Sequence, residues 1–359
     1  NLLSEDQKAG FIEQTQAAQE KDRQTHAAKR EAKPLLSIVE ARKRHFPIEW
    51  KAEDLARPAF LGLRMVNKVP LEEIVPFIDW SPFFATWELK GTYPAIFEDP
   101  KFGPVARETF EDAQKMLDRI IKRQSLTARG VYGFFAANSE GDDIVLYRNE
   151  KRDEELTRFP MLRQQIDKAE GRYDLCLSDF IAPRETGLPD YIGAFAVTAG
   201  LGLDNLVARF EKEGDLDHSL MAKAIADRLA EAFAEYLHAQ ARKDWGYGRE
   251  ESLQNNDLIA EKYRGIRPAF GYPACPDHTP KRALFNLLDA ERKAQIELTE
   301  NFAMLPASSV SGLYFAHPQA HYFAVGRIEA DQVEDYARRC QMEMREMERW
   351  LAPNLNYEP

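Results

Sequence analysis

Cysteine is scarce: the 359 residues hold three, Cys176, Cys275 and Cys340, widely separated and odd in number. No Cys-x-x-Cys spacing occurs, so neither a disulfide framework nor a thiolate zinc site is expected, and the compartment is a reducing one. No apolar run approaches the roughly 20 residues of a membrane span, and no signal-peptide pattern opens the chain. The expected setting is therefore soluble and cytoplasmic, with no membrane partner. Positive charge is the minority: 48 Lys and Arg against 59 Asp and Glu leave a net charge of −11. Such a surface repels phosphate backbones and anionic lipid, so no nucleic-acid partner is expected. The acidity itself has two readings, solubility or attraction of a cationic ligand. An initial methionine is also absent, and Asn1 in its place fits an excised fragment or a processed chain.

The common catalytic signatures are missing as well. There is no Gly-x-Ser-x-Gly elbow and no phosphate loop of the Gly-Lys-Ser type. The pair Gly200 and Gly202 lacks the third glycine of the dinucleotide fingerprint, so a turn is expected there. His317 and His321 lie four apart, the spacing at which a helix presents two ligands to one metal. Pro318 interrupts them, and no acidic or cysteine third ligand accompanies them, so they are assigned to a turn and no metal is expected.

With 44% apolar residues the chain can bury a core sufficient for one large domain or two ordinary ones. Residues 1 to about 33 are polar, rich in Gln, Glu, Lys and Ala, and suit a solvated helix or a linker. From Trp50 onward aromatic and branched residues become dense, which places a lead-in at 1–45 and the folded domain at 46–359. Val131–Ala136, a Glu140-Gly141-Asp142-Asp143 turn and Ile144–Tyr147 predict a β-hairpin. Leu175–Ile181, Ile192–Thr198, Leu313–Phe315 and Tyr322–Ile328 predict further strands. Ile225, Leu229, Phe233 and Leu237 recur every fourth residue, with Asp227, Arg228, Glu231 and Glu235 on the opposite, polar face, so a helix is expected. A C-terminal stripe of Val333, Tyr336, Ala337, Cys340, Met344, Met347 and Leu351 predicts a core-facing helix, with Asp331 as its cap or dipole partner. Strands and helices do not alternate regularly, so the expected class is α+β, helices surrounding a mainly antiparallel sheet.

Two segments carry unusual chemistry. Arg267-Pro268-Ala269-Phe270-Gly271-Tyr272-Pro273-Ala274-Cys275-Pro276 holds three prolines and a glycine in ten residues, which forbids helix or interior strand. The result is a stiff loop. It is either a rigid surface connection or a ligand loop, offering backbone groups to a heterocycle, the Arg267 fork to a carboxylate and the Tyr272 ring to an apolar face. Cys275 has only His278 near it as a base and is assigned a structural role. In Phe77-Ile78-Asp79-Trp80-Ser81-Pro82-Phe83-Phe84, one carboxylate sits among aromatics, which is costly unless it is paired or hydrogen-bonded. Asp79 either caps the following turn or faces an ammonium or sulfonium group.

At these residues a resemblance enters. Arg267 to Cys275 matches the Arg-x-x-x-Gly-Tyr-Pro-Ala-Cys motif of the activation domain of cobalamin-dependent methionine synthases, and Asp79 to Phe84 resembles that family's early aspartate-bearing motif. Asp190 to Thr198, Ala226 to Ala232, Tyr322 to Val325 and Glu348 to Leu355 are similar to the family too, in family order, from about Trp50 to the end. Phe270 stands where a proline is expected in related members, within the motif's variable positions.

The resemblance implies a single C-shaped α+β domain around an antiparallel sheet, holding S-adenosylmethionine on its inner face. It implies that the methyl group is supplied to reactivate cob(II)alamin carried by a neighbouring module of the same polypeptide, with an electron from flavodoxin or a similar flavoprotein reductase. Residue by residue, it implies Arg267 on the methionine carboxylate, Asp79 on its ammonium, and Ala269 (through its backbone) and Tyr272 at the nucleoside. It further places Tyr322 and Phe323 at the ligand and Glu231 and Glu261 near the sulfonium, where Glu231 can equally belong to a solvated face. No acid–base catalyst is implied, since displacement at a sulfonium depends on proximity and orientation. The Asp-x-His-x-x-Gly cobalamin signature and the cysteine cluster of the zinc module are both missing, so cobalamin and zinc are expected elsewhere in the full enzyme. A methyltransferase domain that cannot turn over alone is the leading expectation. A docking module that clamps the cobalamin module and reductase, with S-adenosylmethionine as a signal, is the alternative. An independent nucleotide-fold methyltransferase is disfavoured by the absent glycine-rich loop.

Overall fold

A computed structural model of the protein describes residues 35–359. The expected lead-in over residues 1–45 therefore falls mostly outside the described residues. The described chain divides into two compact units. One comprises Pro47–Met161 and Leu177–Ala324; the other comprises the residues up to Phe46, Leu162–Cys176 and Val325–Pro359.

The larger unit is built on an antiparallel sheet. Its strands are β1 (Gly62–Val69), β2 (Thr127–Glu140), β3 (Asp143–Tyr147), β4 (Glu155–Pro160), β5 (Asp190–Leu201) and, past a short β6 (Glu297–Leu298) and β7 (Met304–Leu305) pair, β8 (Ser309–Tyr314). The order is β4-β3-β2-β5-β8. The 14-residue β2 is long enough to carry β5 along one edge and, on the other, β1 over its first half and β3 over its last residues. Glu140 pairs with Asp143 across the Gly141-Asp142 turn, giving the expected hairpin. Strands β2 and β5 are buried almost throughout, so their sequences run apolar without strict alternation, as strands covered on both faces do.

Helices α1 (Gly103–Arg123), α2 (Leu203–Lys212) and α3 (Leu216–Trp245) supply the packing. Helix α3 begins where Asp215 accepts the His218 N–H and ends at Gly246, whose φ of 103° few other residues tolerate. Its 30 residues span roughly 45 Å. Ile225, Leu229, Phe233 and Leu237 are all buried, as their spacing demanded, and share one core cluster with Phe195, Val197 and Tyr314 of the sheet. Each such side chain contributes about 1.5–3 kcal/mol on burial.

In the smaller unit, Gln332 reads the backbone of Arg163: its Oε1 accepts the Arg163 N–H at 2.7 Å and its Nε2 donates to the Arg163 carbonyl at 2.9 Å. Gln332 Nε2 also donates to Gln165 Oε1 at 2.8 Å, and both glutamines are fully buried. Asp331, expected as the cap or dipole partner of its helix, lies in that helix's first turn as a dipole partner does, but it does not cap: its carboxylate accepts the Ile38 N–H at 2.7 Å and Gln165 Nε2 at 3.0 Å. A carboxylate in a first helical turn faces outward along the axis, where other segments' donors can compete for it.

Three further expectations need correction. The C-terminal stripe is two helices, Ala330–Arg339 and Met344–Trp350, because Gln341 adopts a left-handed φ of 55° and the chain turns. Cys340 and Met344, beside the break, are only partly buried. Leu175–Ile181 is not a strand but contains a single 3-10 turn, Leu177–Phe180; Ser178 and Asp179 favour turns, and a run buried on every side carries no period. Tyr322–Ile328 is an extended loop whose sole ladder contact among the described residues is the bridge of Ile328 to Leu355. Among the described residues no helix is long and apolar enough to cross a membrane.

Candidate functional site

The proline-rich loop is laid down on strand β8. Ile266 pairs with Phe315, and the Pro268 carbonyl accepts the Leu313 N–H at 2.9 Å. That approach requires Gly312, since a Cβ there would meet the Pro268 oxygen at 2.5 Å. Farther along, Gly271, with a φ of 93°, turns the chain so that its N–H reaches the Cys275 carbonyl at 2.8 Å and Tyr272 pairs with Cys275. A side chain on Gly271 would strike the His278 ring. Several of the loop's backbone groups are thus satisfied, by β8 at Pro268 and within the loop from Ala269 to Cys275.

Arg267 points from this loop to helix α3, where its Nη2 forms an ion pair with Glu235 Oε1. The two side chains are 14% and 17% exposed, little enough that solvent screens the pair weakly. Burial opposes the Arg267 charge, yet the Glu235 carboxylate and the phenols of Tyr263 and Tyr322 outweigh it and hold the guanidinium firmly protonated. Arg267 Nη1 and Glu235 Oε2 are buried and without a hydrogen-bond partner among the described residues.

The Arg267 backbone N–H donates to the Tyr322 hydroxyl at 2.9 Å. Burial raises the pKa of both Tyr263 and Tyr322, and Arg267 opposes the shift in each; Tyr322 is 37% exposed. Glu261 is exposed after the helix Asn255–Ile259, at a φ of 53°; burial and Glu235 raise its pKa while Arg267 opposes them. Tyr272 is 60% exposed; burial of its hydroxyl, then the nearby Glu231 carboxylate, raise its pKa. Ala269, partly buried, uses its carbonyl to accept the Tyr272 N–H at 3.2 Å and the Cys275 thiol at 3.0 Å. Burial pushes the Cys275 thiol well up, consistent with the structural role assigned to it.

The structure therefore gathers Arg267, Tyr322, Glu261, Tyr272 and Glu231 into one electrostatic neighbourhood. Asp79 and Phe323 make their contacts elsewhere. Asp79 sits between the 3-10 turn Val75–Phe77 and the helix Ser81–Ala85, half-buried, and its Oδ1 accepts the Ser81 N–H at 2.9 Å. Behind it Trp80 packs edge-on to Phe83 and Phe110, at 5.3 and 5.0 Å between centroids. Phe77 joins the segment to α3 through Tyr236 at 5.6 Å. Phe323 lies edge-on to Phe180 at 6.4 Å.

Four residues at the centre were not singled out from sequence: Glu235, Tyr263, His238 and Tyr314. Glu235 lies one helical turn past Glu231, and that i, i+4 spacing was the available signal. His238 stacks on the Tyr314 ring at 5.0 Å and meets Tyr263 edge-on at 4.7 Å. Burial, then Arg242 and Arg267, depress its pKa far enough to keep it neutral. His317 and His321 lie in a loop, and no group of three or more His, Cys, Asp or Glu among the described residues could hold a metal ion. A cavity of about 400 Å³ between Val69, Leu71, Ile121 and Leu126 includes none of the site residues.

Fold and site together define an α+β domain in which a loop-borne arginine is held against the central helix of an antiparallel sheet. The family described as "Vitamin B12 dependent methionine synthase, activation domain" matches residues 70–341, and the chain belongs to that family. Among solved structures it is similar to the crystal structure of the MetH reactivation domain bound to AdoHcy, at 50% sequence identity and a TM-score of 0.88. That match covers 90% of this chain and 100% of the other.

Proposed function

We propose that residues 46–359 bind S-adenosylmethionine and supply its methyl group for reductive methylation of inactive cob(II)alamin carried on a neighbouring module. The preceding stretch serves as the connection to that module. The observation that carries the reading is the divided guanidinium of Arg267: one arm is held by Glu235, while the other is buried with no partner among the described residues. An unpaired buried donor costs about 1–3 kcal/mol, and a ligand carboxylate relieves that cost with a charge-assisted bond. The AdoHcy held by the similar reactivation domain bears such a carboxylate.

Around it, Asp79 takes the ammonium, and Ala269 and Tyr272 take the nucleoside. Ala269 does so through its N–H, since its carbonyl is engaged within the loop. Tyr322 donates its hydroxyl proton, Phe323 adds an aromatic face, and Glu231 and Glu261 attract the sulfonium. S-adenosylmethionine when bound supplies an electrophilic methyl group on a good leaving group. The residues of this chain then have to bind, orient and expose it, and no general base is required. The domain thus acts as one part of a cytoplasmic methyltransferase, methionine synthase, in concert with the cobalamin module and a flavodoxin-like reductase, and does not turn over alone.

Calorimetric titration with S-adenosylmethionine tests this. Wild type is expected to bind, and Arg267→Ala to bind about 100-fold more weakly, the worth of a charge-assisted pair in a partly buried site. Equal binding by both would remove the basis of the assignment. Adding the cobalamin module, a reductant and methyl-labelled donor separates methyl transfer from a docking role: label on cobalt supports the first, and docking without label the second.

A further inference from the structure

We propose that Glu235 is the positioning residue for Arg267 and sets how strongly the domain distinguishes a ligand bearing an α-carboxylate from one without it. This inference rests on the ligand reading given above and deepens it. Glu235 touches no ligand atom in this scheme; it acts through the guanidinium.

A guanidinium 14% exposed needs compensation nearby, and the groups around Arg267 differ in what they can provide. His238 is buried and neutral, and neither ring nitrogen has a hydrogen-bond partner among the described residues. The Tyr314 hydroxyl is buried and likewise unpartnered. Glu251 is committed to Arg242, its Oε2 lying 2.8 Å from Nε. Glu261 is exposed and acts on Arg267 without an ion pair. Glu235 is thus the carboxylate in ion-pair contact with Arg267.

Glu235 engages Arg267 through one oxygen and one arm, Oε1 to Nη2, and not as a bidentate fork. A fork would consume both Arg267 arms. The single-arm arrangement leaves Nη1 oriented and unpartnered, the disposition a second carboxylate needs. Glu235 is carried on the 30-residue α3, whose buried face is locked against the sheet, whereas Arg267 is carried on a loop. The helix therefore provides the fixed reference and the loop arginine takes its orientation from it.

The test measures affinity of the full 359-residue chain for S-adenosylmethionine and for decarboxylated S-adenosylmethionine, which lacks only the α-carboxylate. Wild type is expected to favour the first by roughly thirtyfold. Glu235→Ala is expected to weaken S-adenosylmethionine binding by roughly tenfold while leaving the decarboxylated ligand within about twofold. Glu235→Gln retains an acceptor for Nη2 and is expected to restore binding to within about threefold of wild type. Loss of affinity for both ligands alike in Glu235→Ala would show a structural role and overturn the inference. Tighter binding of S-adenosylmethionine by Glu235→Ala would overturn it too, making Glu235 a competitor for the arginine. If wild type itself makes no distinction between the ligands, the carboxylate reading of Arg267 fails first, and the Glu235 inference with it.

Discussion

Arg267 and Asp79, the two polar anchors expected from sequence, stand in opposite kinds of surroundings. Arg267 belongs to a loop without regular structure, yet its charge is matched by Glu235, its backbone is tied to Tyr322, and its loop is hydrogen-bonded to β8. Asp79 belongs to a segment of tightly packed rings, yet its carboxylate holds only the local Ser81 N–H, and no ion pair reaches it among the described residues. The arginine side is preorganised by polar contacts over apolar strands, and the aspartate side by apolar contacts around a nearly unengaged charge. Removing a residue should therefore affect folding and ligand binding in different proportions on the two sides.

The largest expected effect is on folding at the aspartate side. Phe84 is fully buried against Phe83, Phe97 and Phe110, and Phe84→Ala should cost about 3–5 kcal/mol in chemical denaturation. A loss below about 1 kcal/mol would break the claim that packed rings supply the rigidity there. A smaller effect on folding, with a larger one on binding, is expected at the carboxylate itself. Asp79→Ala forfeits one local hydrogen bond, about 1 kcal/mol of stability, yet it should weaken S-adenosylmethionine binding by about tenfold or more if it faces the ammonium. Asp79→Asn retains an acceptor for the Ser81 N–H without the charge, so near-wild-type titration by that variant would reduce Asp79 to its local cap.

A third effect is a pH slope on the arginine side. His317 follows Phe315, the partner of Ile266, and is buried against Trp50. Burial pushes its pKa down to about 4 from an ordinary 6.5, with Arg264 adding to the shift and Asp54 opposing it. Between those values the unfolded chain binds a proton that the folded chain does not, so stability present above pH 6.5 is lost as pH falls toward 4. Thermal melts across that window should show a shallower decline for His317→Gln than for wild type. Parallel slopes would mean that the ring is not held neutral by the fold.

Much of the fold was legible before the structure. The 3.6-residue spacing of Ile225, Leu229, Phe233 and Leu237 and the Gly141-Asp142 turn are local signals, and both led to the observed elements. The misread segments share a cause. Leu175–Ile181 and Tyr322–Ile328 are rich in strand-forming residues, but their neighbours satisfy them as a turn and an extended loop. At the site, the Pro-Gly density of 267–276 revealed a stiff loop from composition alone. The importance of Glu235 did not show, because a glutamate on the polar face of a helix is indistinguishable from a solvated one until something packs over it.

What the sequence determined by itself was therefore short-range: where turns must fall, which face of α3 is apolar, and that the chain from Arg267 to Pro276 forms neither a helix nor an interior strand. The tertiary structure decided which charges meet. Arg267 finds Glu235 at a separation of 32 residues and Tyr322 at 55. Side-chain period and backbone restriction are properties of neighbouring residues, whereas the burial of a charge depends on distant segments that exclude water from it.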